Sequence, residues 1–145
     1  MNNAKCVEDL LNALMTFYSV VSIEHYMILL LIIKSRSAEG VYDQLINVVR
    51  DHLDKESRIL NNLLRLRNCL GEDVITLIND FTKNVQDGIK MVNDPEFVST
   101  YINDFATAVR TLTSYILSHE ERLSKIIDSL QEYARKYVND FMQYQ

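Results

Sequence analysis

One proline and three glycines among 145 residues leave little from which to build tight turns. That scarcity excludes a turn-rich β-sandwich or barrel and predicts long helices joined by short loops. Tryptophan is absent, and the only cysteines are Cys6 and Cys69. They form no C-x-x-C pair, so a zinc ribbon and a thioredoxin-like redox motif are both excluded. A secreted disulfide scaffold is equally unsupported, and two reduced, partly buried thiols are the expectation. The first residues lack the basic, apolar and small-residue order of a signal peptide. There is no phosphate loop and no nucleophile with a base at motif spacing. No catalytic residue, cofactor or enzymatic activity is expected.

What remains is ordinary globular composition, 48% hydrophobic and 24% charged, enough for a real core in one domain spanning 1–145. The net charge of −5 is unevenly spread. Residues 1–71 balance eight acids with eight bases. Residues 72–121 set nine acids against Lys83, Lys90 and Arg110. Such a local field disfavours nucleic acid and favours a basic partner.

Apolar periodicity divides the chain into helices. The first is expected from about Lys5 to Lys34. Glu24 and His25 interrupt its long apolar stretch, Leu10 to Ile33, so it reads as a buried central helix and not as a membrane span. Residues 35–40 form a polar loop. The second helix spans roughly Val41 to Leu70 and closes on Gly71 as a left-handed C′ residue. Glu72 and Asp73 open a third helix that ends near Val92. Asn93-Asp94-Pro95-Glu96 then starts another, with Asp94 as cap and Pro95 in the first turn. Ser118-His119-Glu120-Glu121 matches a capping box, so a break or sharp bend is expected there. The fold class is all-α, an antiparallel bundle of four to five long helices.

The most informative pattern is an acidic row. Asp73, Asp80, Asp87 and Asp94 recur every seven residues beside an apolar stripe, so the first three share one exposed helix face. Glu72 and Glu96 extend it. Arg58 and Arg65, also seven apart, share a face of the second helix. Acids interleave with the basic residues there, which predicts i,i+4 pairing in place of a phosphate-tracking groove.

A carboxylate metal site inside the bundle is the sharpest chemical alternative. Glu24, His25, His52, Glu56 and His119 are its candidates, since His52 and Glu56 sit four apart near an apolar stripe and His119 lies on another. Ferritin-like sites take Glu-x-x-His pairs from two helices. The residues three before the histidines are Ser22, Val49 and Ile116, so the motif fails at all three. No metal is expected on this reading, and a self-satisfying His52–Glu56 pair is the simpler outcome. Tyr133, Tyr137, Tyr144, Phe141 and Met142 gather near the C-terminus as packing or interface anchors.

The opening Met1-Asn2-Asn3-Ala4-Lys5-Cys6-Val7-Glu8-Asp9-Leu10 and the ending Tyr133-Ala134-Arg135-Lys136-Tyr137-Val138-Asn139-Asp140-Phe141 prompt a resemblance. In length and helical layout the chain resembles the small helical proteins of crenarchaeal viruses, in particular the RNA polymerase inhibitory family of the Acidianus two-tailed virus. The resemblance implies a bundle that binds host RNA polymerase in its DNA-binding cleft, restricts the clamp and blocks promoter loading. It implies residence in the host cytoplasm or the virion, and a virion structural protein as the alternative. The partner-binding residues would be Glu72, Asp73, Asp80, Asp87, Asp94, Glu96, Arg58 and Arg65, on a monomer or weak oligomer with no direct nucleic-acid or membrane contact.

Overall fold

In a computed structural model, which describes residues 3–35 and 39–143, the apolar rows become five helical rods. The first rod runs through α1 (Asn3–Thr16), a π-helical stretch (Phe17–Ser22) and α2 (Ile23–Ser35). It is followed by α3 (Glu39–Leu64), a 3-10 turn (Arg67–Cys69), α4 (Glu72–Asn93), the short α5 (Pro95–Asn103) and α6 (Phe105–Gln143). No strand occurs among the described residues, as the scarcity of turn residues requires. The first rod packs between α3 and α6, and α4 fills the opposite position between the same two helices. Four rods thus close an antiparallel bundle, with α5 laid against α4 and α6.

Each rod contributes one inward row. On α3 the buried positions are Leu45, Val49, His52, Leu53, Glu56, Leu60 and Leu63, at the three- and four-residue steps of a helix face. On α4 they are Val74, Ile78, Phe81, Val85, Gly88 and Val92. Gly88 is required by a close approach, because a Cβ there would collide with the Tyr115 hydroxyl, which donates to the Asn84 carbonyl at 2.7 Å. The π-helical stretch sets the direction in which His25 points. Eight residues separate the buried Phe17 and His25, and a straight α-helix would turn them about 80° apart. The wider i→i+5 turns between them recover much of that offset, and both side chains face the core.

Several expectations are corrected. The first rod is not central: it buries one face, while Leu11, Met15, Tyr18, Ile23, Tyr26, Met27, Leu30 and Ile33 are exposed. Ala4–Ser35 is also long and apolar enough, by length and composition alone, to cross a membrane. Cys6 and Cys69 are not separate thiols. They form a disulfide, because the antiparallel pairing of α1 with α3 sets the start of one helix beside the turn that follows the other. The second helix stops at Leu64, six residues early. Gly71 is extended (φ −78°, ψ 165°) and caps the start of α4, so it is not a left-handed C′ residue.

The expected break at Ser118 is absent. α6 runs 39 residues without interruption, because Leu112, Ile116, His119, Leu123, Ile126, Leu130 and Ala134 form one continuous buried row along its neighbours. Ser118 serves Arg122 instead, which donates to its carbonyl and hydroxyl. The chain breaks earlier, at Asp104, whose carboxylate accepts from the Thr107 amide and hydroxyl. The cap at Asp94 forms as expected, accepting from Glu96 N at 3.0 Å with Pro95 in the first turn.

Candidate functional sites: an acidic face and a buried histidine cluster

The predicted row is an exposed face. Glu72, Asp73, Asp80, Asp87, Asp94 and Glu96 are all exposed, on α4 and the first turn of α5. Some of them already have work inside the bundle. Asp73 accepts from the Tyr133 hydroxyl at 3.2 Å, Asp80 pairs with Arg122 at 3.1 Å, and Asp94 is the α5 cap. The side chains of Glu72, Asp87 and Glu96 make no hydrogen bond or ion pair among the described residues. Lys83 and Lys90 lie three residues beyond Asp80 and Asp87 and dilute the field. At a 1.5 Å rise per residue, the row offers about one aspartate per 10 Å. Duplex DNA carries a charge per ~1.7 Å. The face therefore has the sign of a nucleic acid without its charge density.

Arg58 and Arg65 belong to α3 and the turn after it, are exposed, and join no ion pair among the described residues. Arg58 donates to the Asp54 carbonyl, and Arg65 lines a groove with Lys5, Asp9 and Asn62. Among the described residues Arg50, Lys55 and Arg58 form no i,i+4 ion pair with the acids of α3. Lys55 reaches across to Glu24 at 2.7 Å, and Arg50 to Asn47 and the Val92 carbonyl. The C-terminal tyrosines are packing residues. Tyr133 meets Asp73, and Tyr137 donates to the Cys69 carbonyl at 2.9 Å. Tyr144 lies outside the described residues.

The second site sits in the middle of the bundle. His25 from α2, His52 and Glu56 from α3, and His119 from α6 are each no more than 1% exposed, and their ligand-type atoms lie within 4.8 Å of one another. The expected His52–Glu56 pair is thus half of a larger assembly. Glu56 Oε1 lies 2.7 Å from His119 Nε2 and 3.4 Å from His25 Nε2, and it touches His52 Nε2. The three rings stand edge to face, and His119 is held between Phe81 and Tyr115.

A second layer grips the rings from outside. His52 Nδ1 donates to Glu24 Oε2 at 2.9 Å, and His119 Nδ1 donates to Asn84 Oδ1 at 2.6 Å. His25 Nδ1 abuts the Glu120 carboxylate. Burial alone would raise Glu56, but the His119, His25 and His52 rings set against its carboxylate override it and hold the carboxyl well below its ordinary value. Burial would lower His52, and the carboxylates of Glu56 and Glu24 raise it instead. Glu24 is likewise lowered by Lys55 and His52 against its own partial burial.

All five residues weighed for a metal are therefore placed together, although the helical motif that would announce such a site is missing. The available signal was polar residues in apolar rows: Glu56 and His52 on the α3 stripe, and His119 on the α6 stripe. His25 was harder to find, because its inward direction depends on the π-helical turns before it. Glu120 and Asn84 carried no sequence signal. No protein-family model, curated protein or solved structure matches this chain.

Proposed function

We propose that this protein is a binding inhibitor that enters the basic DNA-binding cleft of a crenarchaeal host RNA polymerase and blocks promoter loading. The observation that carries the proposal is the exposed acidic face of α4 and α5, where Glu72, Asp87 and Glu96 are unengaged. Clefts that hold DNA phosphates are lined with Lys and Arg, and a complementary acidic face speeds encounter and fixes orientation. Because the face is sparsely charged, it steers the bundle while the bulk of the rods excludes DNA. The family resemblance of the sequence points the same way. The test is displacement of labelled promoter DNA from purified polymerase. Asp87→Lys with Glu96→Lys should raise the concentration needed about tenfold, near 0.7 kcal/mol per exposed charge reversed. Unchanged displacement by the double variant would sink the electrostatic mechanism.

The alternative is a structural or assembly protein of the virion. It is favoured by the exposed apolar stripe of the first rod, from Leu11 and Met15 through Tyr26 to Ile33. Size that grows with concentration on a sizing column supports assembly, and a constant monomer supports the inhibitor.

A further inference from the structure

Docking to a polymerase makes no use of the histidine cluster, and that cluster is expensive to build. Four polar side chains at the centre of an apolar bundle lose free energy unless each is matched. We propose that His25, His52, Glu56 and His119 form a binding site for a single divalent transition-metal ion, Zn²⁺ by preference, which fastens α2, α3 and α6 to one another.

The ring nitrogens make the case. Two imidazoles donate Nδ1 to an acceptor outside the cluster, His52 to Glu24 and His119 to Asn84, and His25 Nδ1 lies against the Glu120 carboxylate without a directed hydrogen bond. An outer acceptor of this kind holds the proton on Nδ1, so a cation that displaces the proton between Nε2 and Glu56 meets an oriented lone pair, which is the usual second layer of a metal-bound histidine. All three Nε2 atoms then face the Glu56 carboxylate, itself an acceptor. His52 Nε2 touches Glu56 without forming a directed hydrogen bond and is otherwise unpartnered, although the side chain is buried. Three imidazole nitrogens and one carboxylate within 4.8 Å of one another are chemically suited to a cation.

Donor type selects the ion. Three imidazoles with one carboxylate suit zinc and its first-row neighbours, whereas calcium and magnesium prefer all-oxygen sites. A single carboxylate among the four, and no Glu-x-x-His pair, argue for one ion and not a di-iron centre. The four side chains are each no more than 1% exposed, which matches a closed, structural site.

The experiment uses untagged protein stripped with a chelator, checked by circular dichroism, and titrated with Co²⁺. One equivalent should bind, with the visible absorption of low-coordinate cobalt, and Zn²⁺ should displace it and raise Tm. His25→Asn with His119→Asn should abolish the band. Glu24→Gln removes only an outer partner, so it should keep the stoichiometry and weaken binding by about 10- to 100-fold. This variant decides the matter even if the double variant fails to fold. Stripped, folded protein with no cobalt band and no zinc-dependent Tm shift would overturn the proposal. So would one-equivalent binding that Glu24→Gln leaves unchanged. None of these readouts depends on polymerase.

Discussion

Breaking the Cys6–Cys69 bond should cost this bundle a substantial part of its stability. The bond links residues 63 apart in sequence, tying the start of α1 to the turn after α3. Constraining a loop of that size in the unfolded chain is worth about 4 kcal/mol on the chain-entropy model. Total stabilities of such domains run about 5–15 kcal/mol, so the loss is large without being fatal. The cysteines are 2% and 8% exposed and remain packed as small apolar groups when reduced, so little native contact is lost as well. With a urea slope of about 2 kcal/mol/M, the unfolding midpoint should fall by about 2 M on reduction. Paired urea titrations followed by circular dichroism, with and without a phosphine reductant, measure this. Thiol titration in denaturant, before reduction, establishes that the bond is present. An unchanged midpoint with the bond present refutes the entropic reasoning, and two free thiols in unreduced protein refute the pairing itself.

Other consequences rest on single contacts. Gly88→Ala drives a methyl into the Tyr115 hydroxyl and should destabilise by about 1–3 kcal/mol. Adding Tyr115→Phe should recover little of it, because the new methyl still overlaps the ring carbons, whereas Tyr115→Ala removes the overlap; thermal melts of these variants decide. Phe81→Ala opens a cavity beside His119 and should cost about 3–5 kcal/mol in urea unfolding. Tyr115 is raised well above its ordinary value by burial, then by the Glu56 and Asp87 charges. Its raised value in the folded state means its contribution is complete below the usual tyrosine range and is lost as pH rises above it. Tyrosinate absorbance should therefore show one residue that ionises only when the fold melts, and a complete titration in still-folded protein would contradict this.

How much of the molecule was legible in the sequence depended on whether the signal was periodic. The rows on α3, α4 and α6 followed from helical spacing, and the Asp94-Pro95-Glu96 start was read from local capping chemistry alone. Failures came where long-range packing overrode a local signal. The capping-box pattern at Ser118 gave way to a buried row that continues through His119. The disulfide required knowing that α1 and α3 run antiparallel, which no spacing between Cys6 and Cys69 encodes. The acidic face was legible because heptad spacing fixes a ridge. The histidine cluster was half legible: buried polar residues on apolar rows marked His52, Glu56 and His119. Their convergence with His25 depended on the π-helical turns and on three rods meeting.

The most direct measurement is co-elution of this protein with purified crenarchaeal RNA polymerase, at low and high salt, with promoter DNA as competitor. Co-elution that weakens with salt and is competed away by DNA is the result expected of an acidic bundle in a basic cleft. Absence of co-elution at low salt, with the free protein running as a large oligomer, would contradict it and point to assembly through the exposed stripe of the first rod.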